Sequence, residues 1–143
     1  MDNLEEVLIE ILSKIYSRII FNEEKILKEM IGETLSPKEF HTLDVIYSAM
    51  ASKSNTASNI ASRLGITLGT CTTNIDRLSA KGLVNKVKND SDRRIVYIEL
   101  TEKGMQTHLK HTSMHKKMIA KAVDKLTTSE KVSLMNAVSK MDI

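Results

Sequence analysis

The sequence has no tryptophan, one cysteine and one proline, and aromatic residues make up only 3% of it. Each shortage excludes something. A lone cysteine, Cys71, makes no internal disulfide, which argues against a stapled secreted scaffold. One proline and five glycines leave long stretches without a helix breaker. With so few aromatic rings the core must come from Leu, Ile, Val, Ala and Met, which suits packed helices. Lys, Glu or Asn interrupts every apolar run short of the ~18 residues a membrane helix needs. Asp2, Glu5 and Glu6 replace the basic start of a secretory signal, so a cytoplasmic protein is expected by elimination. Gly-rich phosphate loops, a nucleophile elbow and credible paired acids are missing too, and no enzyme is expected.

What remains is an ordinary apolar content of 41% in 143 residues, enough for one domain with a sizeable core. The formal charge is +3, but it is unevenly spread. Residues 1–35 are net acidic, while 53–103 carry nine bases against five acids. A basic middle is what a phosphate-facing surface requires, although alone this is weak.

Leu4, Val7, Leu8, Ile11, Leu12, Ile15, Ile19 and Ile20 recur at threes and fours, which predicts a long amphipathic helix to about Met30. Its apolar stripe suits either core packing or a subunit interface. Ser36-Pro37-Lys38-Glu39 reads as a capping box with proline in the first turn. The helix it opens turns Phe40, Leu43, Ile46 and Tyr47 inward and ends near Met50. A polar connection, 51–56, precedes a short helix from Ala57 to Leu64 that Gly65 ends. Thr67 then caps a second run with Leu68, Cys71, Ile75 and Leu78 inside, ending at Gly82. Short helix, tight turn and longer helix make a helix-turn-helix.

Beyond Gly82 the period changes to two. Residues 83–88 and 95–100 read as strands around the charged turn Asn89-Asp90-Ser91-Asp92-Arg93-Arg94. A hairpin with a basic tip, directly after a helix-turn-helix, is a wing. Thr101 caps a further helix with Met105, Leu109, Met118 and Ile119, running to about Leu126. Thr127-Thr128-Ser129-Glu130 starts the last one. The expected class is mainly α with a small β-hairpin wing, an α+β winged helix-turn-helix.

The outward face of the second helix then carries Thr70, Thr73, Asn74 and Arg77, with Thr67 at its start. Short hydroxyls permit close approach to a groove, Asn can read adenine, and Arg reaches guanine or phosphate. A merely solvated polar face is the bland alternative. In the wing, Asp92 beside Arg93 and Arg94 can hold a guanidinium in one direction for a narrow minor groove. Which of the two arginines is held stays open. Lys81, Lys86 and Lys88 read as phosphate contacts, which position without selecting sequence.

Asp90-Ser91-Asp92-Arg93-Arg94 followed by Val96, Ile98, Leu100-Thr101 and Gly104, together with the Ala57 to Val84 spacing, resembles the MarR-type winged-helix regulators. The likeness covers nearly the whole chain. Lys38-Glu39-Phe40-His41-Thr42-Leu43-Asp44-Val45-Ile46, Thr67 to Thr73 and the His-rich helix after the wing look like the FabT-like subgroup, repressors of fatty-acid-synthesis genes. The resemblance implies one MarR-like domain over 1–143. Residues 36–100 would be the DNA-binding region, and 1–35 with 101–143 would pair two copies as a homodimer on a pseudo-palindrome. It also implies a lipidic effector, an acyl chain on acyl carrier protein acting as corepressor.

His108, His111 and His115 fall on one helix face, and the resemblance places His41 near the junction beside them. A solvated stripe, the polar end of an effector pocket, and a zinc site are the three readings. Zinc is the least favoured: zinc-sensing members of the family use His on these helices, but no cysteine is free outside the recognition helix. Glu23 or Glu24 would have to contribute. Cys71, on the buried face and without a resolving partner, reads as structural. A winged helix used as a protein-interaction module is the rival from another class.

Overall fold

The computed structural model describes residues 3–31 and 35–141. Their order is α1 (Asn3–Ile31), α2 (Pro37–Ala51), α3 (Ala57–Leu64), α4 (Leu68–Ala80), β1 (Val84–Lys88), β2 (Val96–Leu100), α5 (Glu102–Val123) and α6 (Thr128–Val138). The architecture is six helices and one antiparallel hairpin, the α+β class that the periodicity predicts.

Local signals explain where the elements start. Ser36 accepts from the Glu39 N–H while the Glu39 carboxylate accepts from the Ser36 N–H, a complete capping box. Thr56, Thr67 and Thr101 cap α3, α4 and α5 by accepting the N–H three residues on, and Thr127 with Glu130 forms a second full capping box at α6. Gly65 closes α3 at φ +65°, a left-handed conformation that costs glycine nothing. The hairpin pairs Val84 with Leu100 and Lys88 with Val96, so Val84 and Ile98 face the core.

The core sits where α2, α3, α4 and the hairpin meet. Phe40, Leu43, Ile46, Ile60, Cys71, Ile75, Leu78, Leu83, Val84 and Ile98 are all fully buried there. Asn55 ties this body together: its side-chain NH₂ donates to the Ile98 carbonyl, and its own carbonyl accepts the Ile98 N–H, both at 2.8 Å. A bridge between Thr56 and Tyr97 extends this, so the segment before α3 acts as a short third edge of the wing. The polar connection over 51–56 gives no hint of that role.

Two inward assignments need correction. Leu68 is half exposed, because burial of α4 begins one turn later at Cys71. Tyr47 is 40% exposed and lies flat on His108 instead of entering the core. On α5, Thr107, His108, His111 and Met114 face inward and Leu109 is exposed.

Outside the core the chain is unusually bare. Leu4, Leu8, Ile11, Leu12 and Ile15 of α1, Ile119 of α5, and Val132 and Met135 of α6 are each about half exposed or more, and α6 buries none of its residues. No described helix is long and apolar enough to cross a membrane.

Candidate nucleic-acid interface and the histidine junction

α4 is fixed to the body by Cys71, Ile75 and Leu78, so its opposite face is left open. Thr67, Thr70, Thr72, Thr73 and Arg77 are exposed there. The threonines are held in defined rotamers: Thr67 donates to the Thr70 hydroxyl at 2.9 Å, and Thr72 and Thr73 donate back to the carbonyls of Leu68 and Gly69. Thr72 is exposed too, although the helical period read from the sequence names only Thr70, Thr73, Asn74 and Arg77 as outward. Asn74 is only half exposed and lines a cleft of about 250 Å³ with Ser36, Lys38, Thr42 and Arg77. Lys38 and Arg77 thereby share one opening beside the start of α2.

The wing lies against the same side of the molecule. Lys86 of β1 pairs with Asp76 of α4, and Thr72, Lys86, Lys88, Val96 and Ile98 line one small cavity. The recognition-helix face and the hairpin are therefore neighbours. Of the expected phosphate lysines, Lys88 is exposed and makes no ion pair among the described residues. Lys81 is half-buried, 2.8 Å from the Glu39 carboxylate, and joins the end of α4 to the start of α2. Burial opposes the charge of Glu39. Hydrogen bonds from Lys81 and the Ser36 N–H outweigh it and hold the carboxyl below its usual range. This contribution to stability is present above the ordinary Glu range and fades as pH falls through the lowered value.

At the wing tip, Asn89 accepts from the N–H groups of Ser91 and Asp92, which fixes the turn. Arg94 Nε and a terminal nitrogen donate to the two oxygens of Asp92, each at 3.1 Å. That fork holds Asp92 below the normal carboxylate range. Arg94 nevertheless keeps 91% of its side chain exposed. Arg93 is exposed as well and pairs with no carboxylate among the described residues. The structure thus separates two residues that the sequence leaves equivalent.

The histidines form a second centre, where α5 crosses α1 and α2. His108 stacks on Tyr47 and bonds Asp44 at 2.8 Å through Nδ1. His111 stacks on Phe40, with centroids 4.4 Å apart and planes 11° from parallel. Its Nε2 meets Glu23 Oε1 at 2.7 Å and His115 Nε2 at 3.0 Å. His41 is exposed and stands outside this group. The spacing of the three α5 histidines is legible in the sequence; Asp44, Phe40 and Tyr47 as their partners are not. Cys71 bonds the Ala57 carbonyl at 3.8 Å, and burial pushes its thiol up, which suits a structural residue.

Comparison with known proteins agrees with this geometry. A family model described as the MarR family matches residues 35–96. The chain is 32% identical to the uncharacterized HTH-type transcriptional regulator YkoM of Bacillus subtilis (strain 168), over 76% of this chain and 68% of that one. It superposes on Streptococcus pneumoniae FabT in complex with DNA with a TM-score of 0.82 and 32% identity, covering 94% of this chain and 92% of that one. A DNA complex of S. aureus MepR, at 21% identity and a TM-score of 0.67 over 92% and 91% of the two chains, shares the fold.

Proposed function

Because the chain belongs to the MarR family of DNA-binding transcriptional regulators, we propose that it is a homodimeric repressor that reads duplex DNA through α4 and the wing. The observation that carries this is the open Thr67–Arg77 face with the hairpin pinned beside it by Lys86 and Asp76. Residues 36–100 would form the DNA-binding region. Thr67, Thr70, Thr73, Asn74 and Arg77 would meet base edges, and Lys88 would meet phosphate. Lys81 and Lys86 act first as struts, since each already holds a carboxylate. Replacing Lys88 by Gln is expected to weaken binding to every duplex alike and to lower the slope of log K against log salt by about 1. Lys81→Gln is expected to leave that slope nearly unchanged. Fluorescence anisotropy over a salt series measures both. A protein that bound random duplex at no salt concentration would instead be an interaction module of the rival kind.

Pairing of two copies through 1–35 and 101–143 is supported by the bare apolar faces of α1, α5 and α6. An isolated chain exposing this much contiguous apolar surface is poorly soluble, and a second copy covers it symmetrically. Ile15→Glu is expected to convert a dimer into a monomer, or to aggregate it, in light-scattering chromatography. An unchanged dimer would place the interface elsewhere.

The finer reading is a repressor of fatty-acid-synthesis genes, with an acyl chain on acyl carrier protein as corepressor. It is supported by the FabT-like sequence pattern and the 32% identity to FabT. Addition of acylated carrier protein should tighten operator binding, while the unacylated carrier should not.

A further inference from the structure

We propose that Glu23, His111 and His115 form a site for a divalent transition-metal ion of the zinc type, tying α1 to α5. Its coupling to DNA rests on the regulator reading above. Glu23 Oε1 and the two Nε2 atoms converge within 4.8 Å, at pairwise separations of 2.7, 3.3 and 3.0 Å. Zinc–nitrogen and zinc–carboxylate bonds of about 2.0–2.1 Å in a tetrahedron put neighbouring ligands roughly 3.3 Å apart. The side chains are already almost at that spacing.

Protons alone serve this triangle badly. Three close contacts need three hydrogens, yet each Nε2 carries at most one and an ionised carboxylate carries none. If both imidazoles donate to Glu23, the two nitrogens face each other at 3.0 Å with no hydrogen between them. A cation at the centre satisfies all three atoms together. The donor set also names the ion: two imidazoles and one carboxylate suit zinc, cobalt or nickel better than calcium or magnesium. Three protein ligands leave a fourth position for water.

The surroundings are built for a fixed ligand. Glu23 and His111 side chains are 13% and 7% exposed. The Phe40 ring holds the His111 plane, and Asp44 Oδ2 lies 3.9 Å from its Nδ1, the side away from the ion. At that distance Asp44 acts on the imidazole by its charge alone, because its hydrogen bond goes to His108. Phe40 and Asp44 belong to α2, which Glu39 joins to Lys81 at the end of α4. Fixing His111 therefore bears on the helix whose start is ion-paired to the residue that closes the recognition helix.

Full-length protein stripped with a chelator should take up one zinc ion per chain in equilibrium dialysis with elemental analysis. Cobalt should give visible bands without thiolate charge transfer. Glu23→Gln and the more exposed His115→Ala should each lower affinity by at least about tenfold, with thermal melts confirming that both variants fold. No uptake at micromolar metal, or equal affinity in both variants, overturns the site. Zinc should also shift specific-duplex affinity by about fivefold or more, and His115→Ala should abolish the shift. Uptake without that shift overturns the coupling, whereas a chain that never binds duplex would overturn the regulator reading instead.

Discussion

Arg94→Ala is expected to weaken binding to a specific operator duplex by about 1–3 kcal/mol, roughly 5- to 150-fold, without changing the oligomer. Asp92 grips the guanidinium through two oxygens while leaving most of it in solvent. A side chain so held loses less rotamer freedom when it enters a narrow minor groove, where the potential is most negative. Arg93 has no such fork, so Arg93→Ala alone should cost much less, and the double variant should lose more than tenfold. Asp92→Asn is the sharper probe. Removing an acid beside DNA normally strengthens binding by simple electrostatics; here it should weaken binding, because the fork is lost. If Asp92→Asn bound more tightly, or Arg93→Ala were the crippled variant, the orienting role of Asp92 would be wrong. The fork persists at neutral pH, since Arg94 holds the Asp92 carboxyl below its usual range and the pair parts only as pH falls through that lowered value.

Gly104→Ala should destabilise the fold by about 3 kcal/mol or more, a drop in Tm of roughly 6–12 °C for a chain of this size. A Cβ built at Gly104 would stand 2.0 Å from the Leu83 carbonyl oxygen and 3.0 Å from its carbon. That carbonyl cannot yield easily: it accepts the Thr101 N–H at 3.0 Å, and Leu83 is fully buried. Thr101 also donates to Gly82 at 2.6 Å and accepts from the Gly104 N–H. The first turn of α5 is thus clamped against the junction between α4 and the wing, with no room for a methyl group. Gly69→Ala is the control. Nothing lies within 4 Å of a Cβ there, and a helical alanine should be neutral or stabilising by up to about 1 kcal/mol. Thermal melts followed by circular dichroism decide the matter; equal melting of the Gly104 variant and the parent would mean that α5 does not approach Leu83.

The helix starts were readable because a cap is a local event. Ser36 and Glu39 stand three residues apart, and nothing distant is needed for them to bond. The same holds for Thr67, Thr101 and the Gly65 turn. Leu68 and Tyr47 were misplaced for the converse reason. Periodicity says which side of a helix is apolar, but not where the neighbouring element begins to cover it. Lys81 and Lys86 carry the charge expected of phosphate contacts. Only their folded neighbours, Glu39 at a separation of 42 residues and Asp76 at 10, reveal that the charge is already engaged.

Pattern and capping chemistry, both encoded within a few residues of chain, by themselves determined that this protein is a helix-turn-helix followed by a basic hairpin, with histidines on one face of α5. Tertiary structure alone decided which wing arginine is braced, which lysines are already paired with a carboxylate, and that Glu23 arrives from 88 residues away to meet His111. Partnership of that kind depends on the relative placement of whole helices, and local pattern carries no record of it.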